Sequence, residues 1–168
     1  MDRVRILMAE DNPDHQCLLV MALTQGRPHV EVSVVSTGAA LMEKVRQAGP
    51  AGFDCLVLDF NLPDCQSADL LGELMRATDG RPAIVISASP AQSVVIQSLR
   101  NGSVDFVPKT EAVEGTTLWN RIELAMGDYR RRQAERRRIV RRHQTLAELA
   151  EKDPLTGLYN RRSVDRML

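Results

Sequence analysis

Residues 53–59 read FDCLVLD, an apolar run from Phe53 to Leu58 that stops on Asp59. An earlier stretch has the same form: in VRILMAED, Val4 to Ala9 run into Glu10 and Asp11. Short apolar runs of this kind fit strands buried on both faces. In an open α/β sheet ligands sit beyond the carboxyl ends of the strands, so three acids ending two such strands can converge on one cation. Two carboxylates about 4 Å apart, at an effective dielectric near 20, repel by roughly 4 kcal/mol. A divalent ion bound through oxygen removes that cost, and Mg²⁺ suits a small carboxylate cluster that leaves room for waters and a phosphate. The constellation points to phosphoryl chemistry.

Outward from these two runs, the first 110 or so residues alternate strand-like and helix-like patterns five times. The strands are expected at Val4–Ala9, Val30–Ser36, Phe53–Leu58, Ala83–Ser87 and Val104–Val107, with helices at Asp14–Gln25, Ala39–Gln47, Ala68–Ala77 and Ala91–Asn101. Asn12-Pro13 and Ser89-Pro90 open helices, and Gly26, Gly49 and Gly102 close them. Such alternation predicts an α/β fold with a doubly wound, five-stranded parallel sheet, flavodoxin-like, in the order 2-1-3-4-5. That order makes strands 1 and 3 neighbours and brings Glu10, Asp11 and Asp59 together.

The 168 residues allow one domain with a full core plus an appendage. No apolar run approaches membrane-spanning length, and Met1-Asp2-Arg3 leads straight into the first strand without a signal peptide, so a cytoplasmic location is expected. The three cysteines lack metal or redox spacing; Cys17 and Cys55 read as small buried hydrophobes and Cys65 as exposed. A formal charge of zero hides a division. Through Asp128 there are 10 basic and 17 acidic residues, a balance of −7; from Tyr129 onward 12 basic and 5 acidic residues give +7.

From about Val113 to Lys152 one long helical stretch is expected, with no proline. A heptad register runs through Leu118, Ile122, Ala125, Tyr129, Arg132, Arg136, Ile139, His143, Leu146 and Ala150. Apolar at both ends and charged in the middle, it suggests a parallel coiled coil with a weak section. Arg130 to Arg142, RRRQAERRRIVRR, holds eight arginines and one glutamate. A run like this suits nucleic acid or an anionic surface, but no aromatic or base-reading residues are interleaved. A solvated, regulatory coil is the preferred reading, with nucleic acid disfavoured.

The distributed pattern over roughly residues 4–128 resembles the response-regulator receiver family. That resemblance implies Asp59 as phosphoacceptor and an Mg²⁺ site formed by Glu10, Asp11, Asp59 and the backbone carbonyl of Asn61. It assigns phosphate contacts to Ser87 and Lys109, and a switch to Ser87 and Phe106. A carboxylate can attack phosphorus in line and form an acyl phosphate, while lysine offers a compact cation for the phosphoryl oxygens. Two positions depart from the family pattern: Ser67 stands where glycine is common, and Thr110 replaces a frequent proline. Asn61 and Ser89, near the mouth of the site, are positions expected to influence how quickly the acyl phosphate is lost.

Asp153 to Arg162, DPLTGLYNRR, resembles the opening of a GGDEF domain, the diguanylate cyclase fold. The expected organisation is therefore a receiver at 1–128, a helical coiled-coil linker at 129–152 and the truncated start of a GGDEF domain at 153–168. No catalytic cyclase residue lies in this chain, so the fragment itself is expected not to be an enzyme, although its parent would be a cyclase making cyclic di-GMP. The implied partners are a sensor histidine kinase or phosphotransfer protein, and a second copy meeting the helix at 91–101, the next helix and the linker. Two alternatives stand beside this reading. One is an interaction or dimerisation module independent of phosphorylation. The other, less favoured, is an aspartate-nucleophile Mg²⁺ phosphatase, a class that wants paired aspartates two apart at the end of the first strand; Asp59 lies on the third and has Asn61, not a second acid, two residues on.

Overall fold

The computed structural model describes residues 3–89, 104–114 and 116–151, with side-chain surroundings through residue 144. Five strands, β1 (Val4–Ala9), β2 (Val30–Val35), β3 (Cys55–Asp59), β6 (Ala83–Ser87) and β7 (Val104–Pro108), pair in parallel in the order β2-β1-β3-β6-β7. This is the expected 2-1-3-4-5 order. Between them run α1 (Pro13–Thr24), α2 (Gly38–Ala48) and α3 (Ser67–Ala77), and β7 leads into a single helical turn, α4 (Lys109–Ala112), and then the long α5 (Thr117–Glu151). Two features were not foreseen: α4, and the antiparallel ribbon of β4 (Asn61–Leu62) and β5 (Cys65–Gln66). The helix expected at Ala91–Asn101, the stop at Gly102 and the motif at Asp153–Arg162 lie outside the described residues.

Alternation along each strand divides the core between the two faces of the sheet. On one face Ile6, Met8, Val57, Ile84 and Ile86 pack with Leu19 and Leu23 of α1 and with Leu118, Trp119, Ile122 and Met126 of α5. On the other, Leu7, Leu56, Leu58 and Val85 pack with Leu41 and Val45 of α2 and Leu71 and Leu74 of α3. All of β3 and β6 is buried. This explains why those runs read as continuously apolar.

Three expectations need correction. Cys17 is exposed: α1 turns Leu19, Ala22 and Leu23 to the core, and a residue two positions before Leu19 falls on the far side of a 3.6-residue helix. Cys55 is buried as expected, with burial pushing its thiol far up in pKa, whereas Cys65 is only partly exposed. The third concerns the heptad register. Its first positions are already occupied by the domain core: Leu118 and Ile122 are fully buried, Ala125 packs against them, and the Tyr129 ring lies 5.0 Å from the Arg81 guanidinium. Apolar residues at helical spacing serve a sheet face as readily as a coiled-coil partner. The chain divides into two compact units, Met1–Tyr129 and Arg130–Leu168, and in the second Arg132, Arg136, Ile139 and His143 of the register are exposed.

Candidate functional site

β1 and β3 end side by side, with Ala9 opposite Leu58. The residue after β1 is Glu10, whose N–H donates to the Val35 carbonyl at 3.1 Å and whose own carbonyl accepts from Gln16 Nε2 at 2.7 Å. These bonds aim the Glu10 side chain inward, where it is fully buried; Asp59 is 4% exposed and Asp11 is exposed. One oxygen from each of Glu10, Asp11 and Asp59 lies within 4.8 Å of the others. β7 delivers the counter-charge: Lys109 Nζ lies 2.6 Å from Asp59 Oδ2 and 3.1 Å from Glu10 Oε2, and donates to Glu10 Oε1 at 3.4 Å.

Burial pushes the Glu10 carboxyl above its usual range, and the Asp59 charge adds to this while Lys109 pulls against it. For Lys109 burial works downward, but hydrogen bonds to Asp59 and Glu10 outweigh it and hold the ammonium above its ordinary value. Glu10 Oε2 is buried and, although close to Nζ, makes no hydrogen bond. A buried carboxylate oxygen that meets a shared ammonium but no aligned donor is only partly compensated. Such an atom, within a set of hard oxygen donors, fits a divalent cation.

Around this centre, Asn61 is exposed and its N–H donates to Asp59 Oδ1 at 3.4 Å. Ser87, the last residue of β6, is buried, and its Oγ accepts from Ser89 N at 3.1 Å. Phe106 is half-buried against the α2–α3 side of the core. The structure thus gathers Glu10, Asp11, Asp59 and Lys109, with Asn61 beside Asp59. Phe106 sits opposite Val85 in the neighbouring strand, two residues before Ser87.

The contacts of three residues went unread in the sequence. His15 Nδ1 lies 3.4 Å from Lys109 Nζ and 3.7 Å from Glu10 Oε1; it forms part of a cleft of about 220 Å³ walled by Leu18, Leu19 and Val113 beside Glu10 and Lys109. The signal for it was its place in the first turn of α1, directly after the acids. Asp64 accepts from Gly38 N at 2.8 Å and Ala39 N at 2.9 Å, which ties the ribbon loop to the start of α2. Ser67 is fully buried and its Oγ donates to the Asp59 carbonyl. No sequence pattern signals either of these long-range bonds.

Comparison with known proteins bears on the family and the fold. The family model described as response regulator receiver domain matches residues 6–121. The transcriptional regulatory protein KdpE of Staphylococcus aureus is 35% identical over 105 residues, 62% of this chain and 43% of that protein. The chain thus spans less than half the length of that regulator. The chemotaxis protein CheY of Thermotoga maritima is 26% identical over 105 residues, 62% of this chain and 84% of that protein. Among solved structures, adenylate cyclase from Rhodopirellula baltica superposes with a TM-score of 0.68 at 14% identity, covering 82% of this chain and 97% of that one, a likeness of fold alone.

Proposed function

The chain belongs to the response regulator receiver domain family, and on that premise we propose that Asp59 accepts a phosphoryl group from a histidine kinase or phosphotransfer protein. The observation that carries this reading is the placement of Asp59, nearly buried at a strand end, 2.6 Å from Lys109 and within cation-bridging reach of Glu10 and Asp11. In the transfer the Asp59 carboxylate attacks phosphorus in line, and the new oxygen–phosphorus bond forms as the donor's phosphorus–nitrogen bond breaks. Glu10, Asp11, Asp59 and the Asn61 carbonyl are the groups that would hold Mg²⁺, which when bound offsets charge on the phosphoryl oxygens. Lys109 follows the negative charge from the carboxylate to the phosphoryl group.

Ser87 and Phe106 supply the response. The Ser87 hydroxyl leaves the Ser89 N–H for a phosphoryl oxygen, and the half-buried Phe106 ring turns toward the space it vacates. Downstream, the exposed register of the long helix and the cyclase-like DPLTGLYNRR motif support a dimerising linker that sets the geometry of a diguanylate cyclase output. A cyclase joining two nucleotides needs two sites facing each other, so dimer geometry is the natural control variable. Among the described residues no helix is long and apolar enough to cross a membrane.

Intact mass and light scattering of the chain with Mg²⁺ and a small phosphodonor test both parts, with Asp59→Asn as control. One labile phosphate absent from the variant, together with a shift in assembly, is the expected result. No adduct on the wild-type chain would overturn the phosphoacceptor reading, and an adduct without change in assembly would overturn the dimer mechanism.

A further inference from the structure

The peptide group joining Asp59 to Phe60 is held at both ends. Its N–H donates from Phe60 to the Ile86 carbonyl of β6 at 2.8 Å, and its carbonyl, on Asp59, accepts from Ser67 Oγ. β1 stops at Ala9, opposite Leu58 and one residue short of Asp59, so the hydroxyl takes the place of the next ladder donor on that edge of β3. Ser67 also donates its own N–H to the Phe60 carbonyl at 2.9 Å. Together the two bonds close the neck of the loop from Phe60 to Gln66. The tip of the same loop is fixed separately, by the Asp64 carboxylate on the N–H groups of Gly38 and Ala39. Asn61 lies between neck and tip, paired with Gln66 across the ribbon.

With the 59–60 peptide plane clamped, the backbone path from the Asp59 carboxylate to the Asn61 carbonyl has few torsions left to vary. Ser67 is fully buried, so water cannot readily replace its hydroxyl. We infer that Ser67 is a positioning residue of the cation site: its hydroxyl holds the Asp59–Phe60 peptide and, through it, keeps the Asn61 carbonyl aligned with the carboxylates of Asp11 and Asp59. The inference rests on the cation-site reading above and extends it to a residue that touches neither ion nor phosphate. Partners one bond removed from a metal's ligands tune affinity through such orientation.

The experiment is calorimetric titration of the whole chain with Mg²⁺, comparing wild type, Ser67→Ala, Ser67→Thr and Asp59→Asn, with a melting curve of each in the absence of the ion. Ser67→Ala is expected to weaken Mg²⁺ binding about tenfold, the low end of what loss of an outer-shell partner costs a metal site. Ser67→Thr, which keeps the hydroxyl, should retain most of the affinity even where its added methyl lowers the melting temperature. Amide exchange at Phe60 in the ion-free protein provides a second readout, with faster exchange in Ser67→Ala than in Ser67→Thr. Equal Mg²⁺ affinity in wild type and Ser67→Ala would overturn the positioning role while leaving the cation site standing. Wild type that binds no Mg²⁺, indistinguishable from Asp59→Asn, would overturn both.

Discussion

The carboxylate of Asp64 shows how one exposed side chain can join elements distant in sequence, tying the ribbon loop to the start of α2. The N–H groups of Ala39 and Gly38 hold its carboxyl below the usual range. Because the folded pKa is depressed, the group binds fewer protons in the folded than in the unfolded chain. Its stabilising contribution is present above the unfolded value of about 3.9 and is lost as pH falls through the folded value. Asp64→Asn removes this linkage. In acid unfolding followed by circular dichroism, the variant is expected to be less stable than wild type at neutral pH and to lose less stability between pH 4 and 2. Parallel curves would show that Asp64 carries no such linkage. Glu10 illustrates the opposite balance, a buried acid held above its range in spite of Lys109. Glu10→Gln removes the buried charge, so in the absence of divalent ions it is expected to raise the melting temperature at neutral pH while weakening Mg²⁺ binding.

Among the elements, α1 and α5 are set by different means. α1 starts at a capped turn: Asn12 Oδ1 accepts from Asp14 N at 2.9 Å and His15 N at 3.2 Å, and Pro13 takes the first helical position, where its missing N–H costs nothing. Asn12→Ala is expected to cost about 1 kcal/mol, roughly 3 °C in melting temperature for a chain of this size, as a thermal melt will measure. The same cap places His15 against Lys109, so one local signal fixes both a helix start and a wall of the site. α5 is held by its aromatic residues. Arg27 lies 4.9 Å from the Trp119 ring, His29 meets that ring edge-on, and Arg81, which also pairs with Asp54 at 3.3 Å, lies over Tyr129. Contacts of this kind are individually modest, about 0.5–1 kcal/mol when exposed, and apolar burial of Leu118 and Ile122 supplies the rest.

Over the whole molecule, the two faces of the sheet have separate roles. Among the described residues, one face is covered by α2 and α3, whereas the other needs the first turns of α5, beside α1, to cover Ile6, Met8, Ile84 and Ile86. A chain ending after Tyr129 therefore keeps its core. It is expected to melt cooperatively at nearly the same temperature as the full chain, while one ending at residue 116 loses Leu118, Trp119, Ile122 and Met126 and fails to fold. Calorimetry of the two truncations checks this, and equal behaviour of both would refute the role assigned to α5. The charge division falls at the same place, with an acidic unit up to Asp128 and the arginine-rich stretch after Tyr129.

The strand order, the two-sided burial of β3 and β6, and the meeting of Glu10, Asp11 and Asp59 could all be read from the sequence. Each follows from local periodicity combined with the handedness of parallel crossovers, and both act on neighbouring stretches of chain. The arginine run is likewise a property of composition alone. The tertiary structure decided what depends on contacts between distant residues. It assigned the first heptad positions to the core, turned Cys17 outward, joined Asp64 to the start of α2 and brought the Ser67 hydroxyl to the Asp59 carbonyl. A helix presents the same apolar stripe to a sheet or to a second helix, and a serine reads the same whether its hydroxyl meets water or a buried peptide. Only the folded chain brings the partner that distinguishes them.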